Sequence, residues 1–238
     1  MTEKDVSATG AAPLGNPVDE VSARVAEDSL IPSPYVTLQR LTLADAADIY
    51  AAQKGSDQLW DYLGSGPFAD LDGFETWIAS IQDSIDPVFY TIKTDRAVGM
   101  ASFLRIDRPM RVIEIGHILL TPALQQKREG SAALMAMIAW AFDAGYRRVE
   151  WKCNSLNAPS RRAALRLGFT YEGTFRQHMI IKGRNRDTAW YAITDVDWQK
   201  LTPAYDAWLD AANFDAGGRQ IQNLSRLTEA AIPGRRDG

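Results

Sequence analysis

Two spacings of hydrophobic residues take turns along this chain from residue 35 onward. Residues 35–41 alternate apolar and polar positions as a half-buried strand does, and Thr42 then offers a cap for a helix through Tyr50 and Ala51. Residues 71–85 carry helical spacing. Val88–Lys93 and residues 98–106 read as two strands joined by a turn near Asp95-Arg96. Val112–Leu120 is a β-rich run stopped by Pro122. An apolar helix over 131–144 closes on Gly145, and a strand follows over 147–153. A helix over 157–167 closes on Gly168; glycine suits the left-handed residue that ends a helix. Residues 169–175 and 188–194 pair as strands on either side of a basic loop, and 197–212 is the last helix of the series.

Strands and helices mixed in this order predict one α/β domain, α+β in its mixing, with helices on a partly antiparallel sheet over residues 34–213. The first 33 residues are rich in Ala, Gly, Pro and acidic side chains without a sustained period, and read as a flexible arm. Residues 214–238 read as a C-terminal tail with a short helix over 224–232. The 238 residues, 46% hydrophobic and 24% charged, have the make-up of an ordinary globular protein that needs no staples. A net charge of −4 supplies no general field for nucleic acid, so none is expected as a partner. The single cysteine, Cys153, excludes an internal disulfide, and with only His117 and His178 beside it no zinc or other metal site is expected. No run reaches membrane-span length and the N-terminus lacks a signal peptide's basic start, so the expectation is a cytoplasmic enzyme without a membrane partner.

Two stretches carry candidate chemistry. In the first, the Val112–Leu120 strand feeds the loop Gln125-Gln126-Lys127-Arg128-Glu129-Gly130 and then a helix. The unpartnered N–H groups and dipole of a helix start make an anion site, which Lys127 and Arg128 reinforce. A surface joint with solvated charges explains the same residues. In the second, a strand ends in Asn154-Ser155-Leu156-Asn157-Ala158-Pro159-Ser160, where Asn157 or Ser160 can simply cap the next helix.

Together the two stretches resemble the GNAT superfamily, in its RimJ/RimL-type branch. Asn157-Ala158-Pro159-Ser160 running on to Leu167-Gly168-Phe169 is the most specific match. Trp60-Asp61-Tyr62-Leu63, Gly66-Pro67-Phe68 and residues 182–188 are also similar, and the likeness spans about residues 35–201. The loop signature [Gln/Arg]-x-x-Gly-x-[Gly/Ala] is met by Gln125 and Gly130, with Arg128 where the first glycine is usual; its guanidinium offers phosphate pairing instead.

The resemblance implies a single GNAT domain built on a mostly antiparallel twisted sheet flanked by helices. It implies acetyl transfer from acetyl-CoA to a primary amine, on a protein N-terminus or a small molecule, by direct attack. It assigns acetyl-CoA binding to Ile118, Leu119, Leu120, Gln125, Lys127, Arg128, Gly130, Ser131, Asn157 and Arg161. Ser160 is the candidate proton donor to the thiolate. Glu114 is the first candidate base and His117 its rival, since strand alternation turns them to opposite faces unless a bulge intervenes. A water chain is a third route for the proton. Trp60, Tyr62 and Phe68 on one side and His178 in the basic segment 176–186 on the other are candidate acceptor walls; a satellite core and a solvated hairpin tip are the alternatives. Cys153 is read as a buried strand residue. A homodimer is compatible with this reading, and a CoA-binding module without turnover is its alternative.

Overall fold

The computed structural model describes residues 15–19, 21–25 and 30–234. One eight-stranded sheet has the order β1-β2-β3-β4-β5-β6-β8-β7. Its strands are β1 (Ile31–Pro32), β2 (Thr37–Arg40), β3 (Val88–Lys93), β4 (Ala97–Asp107), β5 (Val112–Leu120), β6 (Arg148–Asn154), β7 (Thr170–Ile181) and β8 (Arg184–Thr194). Neighbours run antiparallel except β5 and β6, which are parallel. Helices α1 (Ala46–Gln53) and α2 (Leu71–Ile81) cover one face through Ile49, Phe74 and Ile78. The other face is covered by α3 (Arg128–Asp143), α4 (Ala158–Arg166), α5 (Asp195–Leu209) and α6 (Leu224–Ala231).

Helices on both faces explain the apolar β3 strand. Val88, Tyr90 and Ile92 enter the larger core and Phe89 the smaller one, so both sides of the strand are dry. Local signals set the helix starts. Asp70 caps α2 by accepting from Gly73 N at 2.9 Å, and Thr194 and Asp197 close a reciprocal capping box on α5. Helix α3 starts at Arg128, three residues before the expected start at 131, with Lys127 as its N-cap.

Residues 176–186 are not a loop. The β7–β8 ladder continues through them to a tight turn at Lys182-Gly183, both in the left-handed region with φ of 49° and 72°. Of the arm expected over residues 1–33, residues 1–14, 20 and 26–29 lie outside the described residues. The described part packs on the domain: Ala23 is fully buried, and Arg24 N donates to the Ala144 carbonyl at 2.8 Å. The segment set apart from 214 onward does the same. Leu224 of α6 lies in the larger core with Leu201 and Trp208, and Gln222 N donates to Asn213 Oδ1 at 2.7 Å.

This packing has a measurable consequence. Leu224→Ala is expected to cost about 2–5 kcal/mol in urea unfolding, the range for a buried leucine truncation. A change within about 0.5 kcal/mol, typical of a surface site, would put α6 outside the cooperative unit.

Candidate active site

The parallel pairing of β5 and β6 lasts for three residue pairs and ends at Glu114 opposite Glu150. Beyond it β6 stays with β8 as far as Asn154, while β5 stays with β4 as far as Leu120. The strands therefore part, and a cleft of about 2040 Å³ opens between them. It runs from Tyr62 and His178, along β5, to the first turn of α3. Among the described residues, the edge of β5 that faces away from β4 has no strand partner past Glu114, so its backbone groups are available to a ligand.

A bulge shapes the wall of this cleft. Ser102 pairs with Gly116 but Met100 pairs with Leu119, so β5 holds one extra residue, and His117 takes a φ of 47°. The expected alternation is thereby broken. The His117 ring packs on Phe89 with centroids 5.1 Å apart, and its Nδ1 lies 2.8 Å from Ser102 Oγ, on the sheet face that carries Glu114. Both residues line the cleft. Ser102 Oγ donates to the Gly116 carbonyl at 3.2 Å, so the consistent tautomer has Nδ1–H donating to Ser102 and Nε2 free to accept a proton. Burial holds the imidazole below the usual histidine range, and neutral at pH 7.

Glu114 sits in a chain of alternating charges. Its Oε2 is 3.0 Å from Lys152 Nζ and 3.2 Å from Arg105 Nε. Lys152, almost fully buried, also reaches Glu150 at 2.7 Å and lies 3.8 Å above the Trp190 ring. Arg148 then joins Glu150 to Glu172. Burial pushes the Glu114 carboxyl above the usual range, against the pull of Lys152 and Arg105.

At the far end, Gln125, Lys127, Arg128, Gly130 and Ser131 all line the cleft, and no side chain caps α3. A Cβ on Gly130 would collide with the Leu124 carbonyl oxygen, so the fold itself requires glycine where chain and helix cross. Arg128 stacks on Tyr35 at 4.4 Å and on Phe214, and pairs with Glu129 at 3.1 Å. Arg166, absent from the sequence-level candidates, donates to Ser131 Oγ at 2.7 Å and has no carboxylate partner among the described residues.

The turn after β6 sorts its two polar residues. Asn157 is the cap: its Oδ1 accepts from Ser160 N at 3.1 Å. Ser160 Oγ instead accepts from Trp151 Nε1 at 3.0 Å and lines the cleft, which leaves its O–H free to donate. Arg161 turns away, to the Tyr191 hydroxyl at 3.3 Å and the Ser155 carbonyl at 3.0 Å. It is absent from the cleft lining, which takes Arg162 one residue on.

The candidate acceptor residues divide likewise. Tyr62 lines the cleft and its hydroxyl donates to the Leu156 carbonyl at 3.3 Å. Trp60 and Phe68 do not; they pack with Phe74 and Trp77 in the smaller core, where Trp60 Nε1 donates to Gln53. Leu59 and Leu63 take their place at the cleft, a choice made by packing that residue type does not reveal. His178 lines it too, with Nδ1 3.0 Å from Thr188 Oγ1. Lys182 ties the hairpin tip to this wall by donating to the Trp60 carbonyl at 2.8 Å. Among the described residues that line the cleft, the cations Arg105, Lys127, Arg128, Lys152, Arg162, Arg166, Arg186 and Arg219 outnumber the carboxylates Glu114, Glu129 and Glu229.

Residues 36–170, more than half of the chain, match the family described as Acetyltransferase (GNAT) domain. The chain belongs to the GNAT acetyltransferase family. A GCN5-related N-acetyltransferase from Brucella melitensis superposes with a TM-score of 0.84 at 37% identity, covering 87% of this chain and 97% of that one. The ribosomal-protein-serine acetyltransferase of Escherichia coli K12 is 34% identical over 106 residues, 44% of this chain and 59% of that protein. The uncharacterized N-acetyltransferase p20 of Bacillus licheniformis is 27% identical over 165 residues, 66% of this chain and 92% of that one. Acetyl-CoA is the cosubstrate of this acetyltransferase. The uncapped α3 start has the backbone N–H groups and dipole that suit an anion.

The buried imidazole gives the acetyltransferase a pH signature. With the folded-state value of His117 below 6.5, its contribution to stability is complete above pH 6.5 and is lost as pH falls toward the folded value. Unfolding free energies measured from pH 7.5 downward should therefore decline less steeply in His117→Asn than in the wild type. Equal slopes would mean that the imidazole titrates alike in both states.

Proposed function

We propose that this enzyme transfers the acetyl group to an amine by direct attack, with no acyl-enzyme. The observation that carries the proposal is the convergence of proton acceptors and a proton donor on one cleft: Glu114 and His117 on the β5 wall, Ser160 on the α4 wall. Cys153 is buried but also borders the cleft, and direct attack by the amine gives it no covalent role. In the reaction a nitrogen–carbon bond forms, the carbon–sulfur bond breaks, and one proton moves from nitrogen to sulfur. Glu114 takes that proton, its carboxyl raised toward neutrality by burial, as a general base requires. His117, neutral with Nε2 open, is a second acceptor on the same face. Along Ile118–Leu120 the β5 backbone supplies an N–H on the edge turned away from β4 to the reacting carbonyl. Ser160 donates its O–H to the departing sulfur, its oxygen being held by the Trp151 indole, and regains a proton from solvent while Glu114 releases the one it took, so that the net transfer is from nitrogen to sulfur.

The direct test is a screen of amines and N-terminal peptides with acetyl-CoA, read by mass spectrometry of the product. Products should resist hydroxylamine, which cleaves esters and leaves amides. Free CoA production without any acetylated acceptor, or only hydroxylamine-labile products, would overturn N-acetylation.

The base is expected to show in Glu114→Gln, which should lower kcat/KM at pH 7 by about 10² to 10⁴-fold, the usual yield of general-base catalysis. If that variant stays active and His117→Asn loses activity by this much, the two residues exchange roles. Ser160→Ala should lower kcat by about tenfold or more while the melting temperature moves little, because the cap belongs to Asn157. Asn157→Ala is the complementary variant, expected to cost about 1 kcal/mol of stability. Normal turnover by Ser160→Ala would assign sulfur protonation to solvent.

A further inference from the structure

The acceptor half of the cleft carries a positive surplus that acetyl transfer alone does not require. Arg186 lies on β8 with Thr188 and Trp190, half-buried and lining the cleft. Its Nε donates to Thr188 Oγ1 at 3.1 Å, and among the described residues no other hydrogen bond or ion pair engages its guanidinium. Asp187, next along the chain, does not neutralise it; that carboxylate accepts from Gln177 N at 2.7 Å and from Asn185 at 3.0 Å. Glu114 attracts it only through space, since its carboxylate is in contact with Lys152 and Arg105 and makes no ion pair with Arg186.

A half-buried cation without a counter-ion is unfavourable in the empty protein and becomes favourable when a ligand supplies the anion. A guanidinium presents donors in a planar fork that matches a carboxylate. The neighbourhood feels the surplus: the His178 imidazole is held below the usual range by burial and then by Arg105, Arg186 and Lys152. Cations nearby also favour the neutral amine over the ammonium, and direct attack needs the neutral form.

We infer that the acceptor is an amine that also carries a carboxylate, and that Arg186 receives this carboxylate while the amine faces Glu114. The inference rests on the acetyl-transfer reading and adds the chemical class of the acceptor. A free amino acid and a peptide with an acidic residue beside its N-terminus share that chemistry.

Calorimetry on the full-length protein, with CoA present so that no turnover occurs, separates these sources. The probes are glycine against glycinamide, and a tripeptide with aspartate at its second position against its asparagine counterpart. In one of the two pairs the carboxylate member should bind about tenfold more tightly or better, as expected for a charge-assisted bidentate contact. Arg186→Gln should bring that ratio close to one, and Arg186→Lys, which keeps the charge without the fork, should give an intermediate ratio. Should Arg186→Gln lose the rise in melting temperature that acetyl-CoA gives a folded protein, the Arg186→Lys ratio decides. A wild-type ratio near one in both pairs, or a preference that the Arg186 variants retain, overturns the inference. Acetylation of the same panel is followed separately, so a failure of transfer and a failure of carboxylate recognition give different results.

Discussion

The parallel pairing of β5 and β6 ends at Glu114 and Glu150, and every other part of the active site depends on that break. A continuous sheet would satisfy its own backbone and leave no room; a parted one offers an unpaired strand edge and a cleft beside it. Two devices sit at the fork. The extra residue at His117 bends β5 and turns the imidazole onto the Glu114 face. The Lys152 ammonium is wedged between the two glutamates where the strands diverge. Removing one member of such a buried group typically costs about 3–5 kcal/mol because its partner is left uncompensated. The same group holds the Glu114 carboxylate in place, so the element that shapes the fork also sets the chemistry of one of its walls.

The starts of α3 and α4 both open onto this fork, and they contribute differently. Helix α3 brings an uncapped first turn, with Gly130 close against the Leu124 carbonyl and Arg166 reaching Ser131 from α4. Helix α4 is capped by Asn157, which frees Ser160 for the cleft. One helix leaves its backbone donors for a ligand, and the other satisfies its own and exposes a hydroxyl. The chain as a whole is acidic, yet the cleft is lined mainly by cations. An anionic cosubstrate is thus drawn to a site whose sign is opposite to that of the rest of the surface.

Much of this was legible in the sequence because it is written in local spacing. Val112–Leu120 ends where the β pattern and Pro122 end it, and the Asn157–Ser160 turn announces itself by its polar residues ahead of a helical period. The features that were not legible are those decided by contacts distant in sequence. Nothing local marks His117 as a bulge, so alternation put it on the wrong face. Trp60 and Phe68 read like Tyr62, and only their packing on Phe74 and Trp77 withdraws them from the cleft. Arg161 and Arg162 differ by one position on a helix, about 100° of rotation, which is enough to exchange the cleft for the Tyr191 hydroxyl and the Ser155 carbonyl. The charges at Arg176, Arg184 and Arg186 hid the β7–β8 ladder, an extension with little burial in which even Ile180 is exposed, so its short apolar run Met179–Ile181 has no alternating partner pattern. Residues 21–25 and 214–223 lack a strong period, and what holds them, Ala23 in the core with Arg24 N on the Ala144 carbonyl and Gln222 N on Asn213, joins residues that only the folded chain brings together.

The central claim is that the unpaired β5 edge and the first turn of α3 hold acetyl-CoA. Amide hydrogen exchange with and without acetyl-CoA tests it at the backbone itself. Acetyl-CoA should slow exchange at residues 116–120 and 128–131, and leave β3 and the β4 amides paired with it unaffected. Saturating acetyl-CoA that protects neither segment, or protection confined to another part of the surface, would contradict the account.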